Sequence, residues 1–347
     1  MELSIIIPCY NAAATIGAQL GALVTERWEG EWEVVVVDNG SSDDTLSVVR
    51  GYFGRLPHLR VLSARASQGA AYARNIGVRK ARGRNVAFLD ADDVIQPGWI
   101  AAIGEALRSA PFVASRFEFR SLNAPRLVGL PMAPQEDGLQ RYANPKFLAH
   151  AGTCGLGVRK ALHEEIGGFD QSMAVLEDTD YCWRLQLSGV PLTFVPDAVV
   201  AVRYRPTLRA SLRQARVWGR ENIRLYLRYR GLGMARHHVG RELRDWRRLA
   251  RQLGGIGAKE SRLRWRWTFH LYLGRLVGWI RYGLRPATVG VPRVAAKPVY
   301  AEMPQAPYCP AGAGPFPAPQ AKVDPRSQSG VDASEGVLAR GGRTGWR

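Results

Sequence analysis

The sequence predicts a doubly wound α/β sheet, followed by a basic helical segment and a Pro/Gly-rich tail. Apolar runs at 3–8 (LSIIIP), 33–38 (EVVVVD), 60–64 (RVLSA) and 85–90 (NVAFLD) read as buried strands. Unbroken Ile/Val stretches suit parallel strands covered on both faces. Helical spacing fills the gaps between them, and alternating strands and helices build such a sheet. Acidic residues close two of the strands, Asp38 the second and Asp90 the fourth. Ligands of a doubly wound sheet bind beyond these carboxyl ends.

Each element has its own signal. AAATIGAQLGALVTE carries apolar positions at helical spacing. SDDTLSVVRGYF opens on the capping residues Ser42 and Asp43, and AAYARNIGVRKARG ends at Gly83, a C-cap type. Residues 100–200 are less regular. There GTCGLGVRKALHEEIGGFD reads as a strand and a short helix, and a second helix runs from about Asp178 to Ser188 before Gly189 and further strand material. Helices are expected over 207–230, 236–253 and 260–284. From 286 onward Pro, Gly, Ala and Ser dominate, which predicts a disordered tail. The divisions are therefore 1–206, 207–285 and 286–347.

With 347 residues, 46% of them hydrophobic, the chain can bury one large core or two smaller ones. Cysteines at 9, 154, 182 and 309 form no C-x-x-C pair, which argues against a structural zinc site and suits a reducing compartment. Met1 leads straight into ELSIIIPCY, without the basic and apolar regions of a secretory signal. The formal net charge of +18 is local: residues 203–285 hold 22 Lys or Arg and 4 Asp or Glu, leaving 26 of each sign elsewhere. A near-neutral body thus carries a strongly basic segment.

The first strand-to-helix turn, PCYNAAATIG, has no glycine before Gly17, which excludes the dinucleotide fingerprint, and no Walker A sequence occurs. The chemistry lies in the acidic strand ends. Asp38 alone reads as a turn residue before NGSSDD. Asp90, Asp92 and Asp93 could be turn and first-turn residues of a helix starting near Pro97. A hard divalent cation, Mg²⁺ or Mn²⁺, also explains the cluster, since such ions take carboxylate oxygens and complete their shell with waters and substrate phosphates.

SIIIPCYNAAATI, VVVVDNGSSDDT, GAAYARNIGVRKARG, FLDADD and GGFDQSMAVLEDTDYCWRLQLSG, five blocks in order between about residues 3 and 205, resemble the family 2 glycosyltransferases with the GT-A fold. The resemblance implies a metal-dependent, inverting transfer of sugar from a nucleoside diphosphate sugar. It places Pro8, Tyr10, Asn11 and Asp38 around the base and ribose, and Arg74 and Asn75 beside the nucleotide and donor. Asp90, Ala91 and Asp92 match the D-x-D motif, with Asp90 facing the ribose, Asp92 on the metal and Asp93 supporting it. Glu177 and Asp178 match the E-D pair, whose aspartate is the general base. Capping of the 178–188 helix is the alternative for Asp178, and Asp180 reads as structural. Two departures stand out: Arg203 and Arg205 occupy the stretch where many relatives carry a metal-binding histidine, and Gly155 stands where relatives often have asparagine.

In the basic segment, arginines at 209, 213, 216, 220, 224 and 228 follow helical steps beside an apolar side. SRLRWRWTFHLYLGRLVGWIRYGLRP interleaves Arg with Trp, Tyr and Leu, and is interrupted by Arg275 before it could span a bilayer. The leading expectation is attachment through 260–285 to an anionic membrane surface, with Trp265, Trp267 and Trp279 and the leucines in the interface. Packing on the catalytic body is the second reading and nucleic-acid binding the third. The acceptor expected is lipid-linked or a polysaccharide, and the place the cytoplasmic, inner face of the plasma membrane. A GT-A fold without turnover, serving as a scaffold, is the non-enzymatic alternative.

Overall fold

The structure is a computed structural model, and it describes residues 1–124, 135–142, 146–237, 239–255, 259–284, 289–290 and 292. The expected tail beyond 292 lies outside them. The first half alternates as the apolar runs require: β1 (Leu3–Cys9), α1 (Ile16–Thr25), β2 (Trp32–Asp38), α2 (Thr45–Arg50), β3 (Arg60–Ser63), α3 (Ala70–Lys80) and β4 (Asn85–Phe88). β1 pairs in parallel with β2 and β4, and β2 with β3. Successive residues of β1 and β2 enter opposite cores. Ile5, Ile7, Val34 and Val36 meet α1, while Ile6, Val35 and Val37 meet α3. Both faces are covered, which is why no polar alternation marks these strands.

The chain continues as β5 (Val94–Ile95), α4 (Trp99–Ser109), β6 (Phe112–Glu118), β7 (Leu156–Arg159), α5 (Lys160–Glu165), α6 (Glu177–Leu187) and β8 (Thr193–Ala201). All eight strands form one sheet in the order β3-β2-β1-β4-β7-β6-β8-β5. β7 runs antiparallel to both β4 and β6, and β5 antiparallel to β8, so the sheet is mixed.

Several local signals resolve differently from expectation. Gly83 does not cap α3, which closes at Ala81 in extended backbone. Its Cα instead lies against the β1 backbone, where a Cβ would fall 2.6 Å from the Ser4 nitrogen. Asp43 is not an N-cap either: it braces the turn, accepting from the backbone N–H groups of Ala13 and Thr45. The Asp90–Asp93 cluster does not start a helix, because β5 intervenes. The N-terminus of α4 is satisfied by Glu26, which accepts from Gly98 and Ile100 at 2.9 and 2.8 Å.

The basic segment forms α7 (Leu208–Tyr229), α8 (Val239–Arg251) and α9 (Lys259–Gly278), with a π-helical turn Trp279–Gly283 after it. Thr207 caps α7 by accepting from the Ala210 N–H. α7 and α9 touch backbone to backbone: a Cβ on Gly219 would lie 2.0 Å from the Leu271 carbonyl oxygen, and one on Gly274 2.1 Å from that of Arg216. α7 also packs on α6, burying Leu225, Tyr226 and Tyr229 with Trp183. The described residues of the basic segment accordingly belong to the same compact unit as the sheet.

The tryptophans expected at a membrane surface are used in this packing. Trp267 is 3% exposed, against Ala215 and Trp218. Trp265 donates to the Leu249 carbonyl and stacks on Phe269, and Trp279 packs on Tyr226. On α9 and the turn after it the exposed large apolar side chains are Leu276, Ile280 and Leu284, at helical spacing; Leu208, Leu232, Leu243 and Leu253 are exposed elsewhere in the segment. No helix among the described residues is long and apolar enough to cross a membrane.

Candidate active site

The carboxyl ends of β1, β2 and β4 lie side by side, and two groups of side chains gather there. The first surrounds the end of β1. Asn11, held at a φ of 50°, accepts from the Ser42 N–H while its own N–H donates to the Ser41 hydroxyl. Asp38 is buried, accepting from the backbone N–H groups of Ser41 and Gly40 at 3.0 and 3.3 Å. Its carboxylate therefore shapes the turn that follows β2. Pro8 is half-buried between the buried Ile7 and Cys9 at the end of β1, and Tyr10 beyond the strand is 53% exposed, a free aromatic face. Asn39 was not singled out in the sequence. It ties three loops together, donating to the carbonyls of Ala64 and Ser67 and accepting from the Gly69 N–H at the start of α3. The Asn-Gly pair after a strand-closing aspartate was the available signal.

The second group follows β4. Arg74, buried on α3, donates to Asp90 at 2.7 Å and to Glu177 at 2.8 Å, joining the end of β4 to the first turn of α6. The arginine compensates two of the crowded carboxylates. Leu176, before Glu177, adopts a left-handed φ of 61°, a strained conformation for a branched side chain that aims the turn. Asp178 comes next; its Oδ1 accepts the Thr179 N–H at 2.6 Å. Burial, then the charge of Glu177, pushes its carboxyl up to about 7. Asp178 is not the N-cap of α6, since Leu176 holds that position and makes no side-chain cap bond.

Asp180 is structural, as expected. It is fully buried, bonded to Arg184 at 2.7 Å and to the Tyr229 hydroxyl at 2.7 Å. Asn75 differs from expectation: its amide donates to the Phe169 carbonyl and accepts the Phe169 N–H, each at 2.9 Å, so it anchors the Gly167–Asp170 turn rather than facing the cleft.

Within the D-x-D stretch Ala91 is buried in the core and offers no side-chain ligand. Asp92 is 41% exposed and faces Arg205 at 3.5 Å. Asp93 is buried and accepts the Arg203 N–H at 2.8 Å. Burial and the charge of Asp90 raise the carboxyls of Asp92 and Asp93, and Asp92 adds to the effect on Asp93. Among the described residues, the ligand-type atoms within 4.8 Å of one another are those of Asp90, Asp93 and Cys154. Burial, then Asp93 and Asp90, raises the Cys154 thiol well above its usual range, and a buried neutral thiol suits a hard cation poorly. Gly155, next in sequence, has a φ of 84°, and a Cβ there would lie 2.4 Å from the Ser115 side chain. Asparagine does not fit at that position in this backbone.

A mixed sheet with carboxylates, a bridging arginine and an exposed aromatic at its carboxyl edge agrees with the GT-A fold that the sequence resemblance implies. The Glycosyl transferase family 2 model matches residues 4–166, and that of Glycosyl transferase family group 2 matches 137–291. The chain belongs to glycosyltransferase family 2. It is 28% identical over 231 residues to Glycosyltransferase AglE of Haloferax volcanii, covering 65% of this chain and 74% of that protein. It is 34% identical over 140 residues to the UDP-Glc:alpha-D-GlcNAc-diphosphoundecaprenol beta-1,3-glucosyltransferase WfgD of Escherichia coli, covering 39% and 52%. The solved mannosyltransferase PcManGT from Pyrobaculum calidifontis, in complex with GDP-Man and Mn²⁺, shares the fold with a TM-score of 0.53 and 19% identity, over 82% of this chain and 87% of that one. The chain spans between 27% and 74% of the length of the first curated relatives it matches.

Proposed function

We propose that the protein transfers a sugar, with inversion, from a nucleoside diphosphate sugar to a hydroxyl of a lipid-linked or polysaccharide acceptor, and that Asp178 is the general base. The observation that carries this is the Asp178 carboxyl, raised to about 7 beside an Arg74-bridged Asp90–Glu177 pair. A base with a pKa near ambient pH combines ionisation with proton affinity. The acceptor oxygen attacks the anomeric carbon and gives its proton to Asp178. The bond from that carbon to the diphosphate oxygen breaks, and its electron pair leaves with the nucleoside diphosphate. Attack from the face opposite the leaving group inverts the centre.

Tyr10 offers the base a ring to stack on. Asp38 and Asn11 hold the loops that bound the nucleotide, and Arg74 keeps Asp90 and Glu177 in place.

The donor set fits a hard divalent cation, Mg²⁺ or Mn²⁺, at its solvent-facing edge. Asp92 and Asp90 are partly exposed there, and the like-charge crowding that raises Asp92 and Asp93 is what a cation relieves. Bound, such an ion supplies neutralisation of the charge that develops on the leaving diphosphate. The Mn²⁺ and GDP-Man of PcManGT and the lipid diphosphate acceptor in the name of WfgD support this choice of cofactor and substrates.

With a lipid-linked acceptor, the reading includes peripheral attachment at the cytoplasmic face of the membrane. The exposed Leu276, Ile280 and Leu284 with the exposed Arg281 replace the tryptophans as the surface for that contact. Thermal-shift measurement with Mn²⁺ against a panel of nucleotide sugars tests the function, because a ligand that binds only the native state raises its melting point. A rise with at least one nucleotide sugar is expected; no rise with any of them contradicts the reading.

A further inference from the structure

We propose that Arg205 is a contact for the donor's diphosphate and carries part of the charge neutralisation that a divalent ion would otherwise supply alone. The proposal rests on the nucleotide-sugar reading above. It starts from the sheet: β5 pairs antiparallel with β8, Val94 opposite Ala201 and Ile95 opposite Val200. That pairing lays the chain leaving β8 against the chain entering β5, so residues 203–205 meet Asp92 and Asp93 across more than a hundred residues of sequence.

The three residues are held differently. Tyr204 is buried, stacks on Phe119 with centroids 5.3 Å apart, and donates its backbone N–H to Asn123 at 2.7 Å. That fixes the backbone between the two arginines. Arg203 is committed to the loop, its backbone N–H on Asp93 at 2.8 Å and its Nε–H on the Asp92 carbonyl at 2.9 Å. Arg205 is not committed in this way. Its guanidinium is 53% exposed, and among the described residues its one ion pair is the 3.5 Å approach to Asp92. An exposed pair at that distance is weak, so the group is placed at the D-x-D carboxylate without being locked to it. A guanidinium presents a planar fork of donors that matches two phosphate oxygens at once, and it cannot ligate a metal. A cation that lies on the D-x-D edge and is free to turn toward solvent can follow the diphosphate as it arrives and as it leaves.

The test is calorimetry of UDP, GDP, UMP and GMP with the full-length protein, in EDTA and in Mn²⁺. The proteins compared are wild type, Arg205→Ala, Arg205→Gln and Arg205→His. Wild type is expected to bind a nucleoside diphosphate more tightly than the matching monophosphate even in EDTA. Arg205→Ala and Arg205→Gln should lose about tenfold or more of that diphosphate affinity in EDTA, with monophosphate affinity unchanged. Arg205→His should lose it equally in EDTA at pH 8, where an imidazole is mostly neutral. Equal diphosphate affinity in EDTA for wild type and Arg205→Ala overturns the role of Arg205 and leaves the nucleotide-sugar reading standing. No binding of any nucleotide in any arm overturns both.

Discussion

Asp178 sits where two opposing demands meet. It must be ionised to act as a base, yet burial and the Glu177 charge favour its protonated form. Two outcomes follow. Transfer should rise with pH through about 7 in wild type as the carboxylate forms, and Asp178→Asn should lose roughly 10²-fold or more of the transfer rate while still binding donor. Stability should move the other way. A carboxyl raised from 3.8 to about 7 contributes stability fully below the unfolded value, and that contribution is lost as pH rises to about 7. The melting-point advantage of Asp178→Asn over wild type should therefore be smallest near pH 4 and grow toward pH 8; an advantage independent of pH would contradict the raised carboxyl. At this scale the sequence marked Asp90, Glu177 and Asp178, and the structure brings them together through Arg74, which bonds Asp90 and Glu177. The sequence misled at Asn75, whose neighbour Arg74 does reach the site, because one residue along a helix turns the side chain by about a quarter turn. Arg205 was flagged only through the resemblance, as standing where relatives carry a metal-binding histidine, and Cys154 was not readable as a neighbour of the D-x-D stretch, since only tertiary pairing brings it there.

Among elements, α6 is the one on which most depends. Its first turn carries Asp178, the proposed base, and its buried side carries Asp180, which meets Arg184 on α6 and Arg228 and Tyr229 on α7. Arg228 also binds Asp170 at 2.7 Å. The basic helix is thereby tied to the catalytic body through buried charges, and removing one partner leaves the others uncompensated. Asp180→Ala should destabilise the protein by about 3–5 kcal/mol, read as a lower midpoint in urea unfolding. An effect within the surface range of about 0.5 kcal/mol would show the cluster to be incidental. The strand and helix pattern of the first ninety residues was legible because covered parallel strands leave a strong apolar signal. β6 was not, because Phe112–Glu118 includes Ser115, Arg116 and Glu118 and lacks an unbroken apolar run. The cap of α4 escaped for another reason: Glu26 reaches it from the end of α1, more than seventy residues away.

For the whole molecule, the proposed membrane contact rests on the excess charge and on the exposed apolar side chains Leu276, Ile280 and Leu284. Co-sedimentation with anionic vesicles should be lost in the variant Leu276→Gln, Ile280→Gln, Leu284→Gln. A Trp267→Ala variant should instead melt lower, since that ring is core. Equal pelleting of wild type and the triple variant, or with neutral and anionic vesicles alike, would return these residues to an unassigned surface. The central claim is tested most directly by measuring nucleoside diphosphate release and donor binding together, for wild type, Asp178→Asn and Asp92→Asn, over a panel of nucleotide sugars with Mn²⁺ and acceptor. Wild type should release diphosphate from at least one donor. Asp178→Asn should bind that donor normally and release about a hundredth as much or less, and Asp92→Asn should lose most of its Mn²⁺-dependent binding. Release by Asp178→Asn at the wild-type rate, or no donor bound by wild type, would contradict the account.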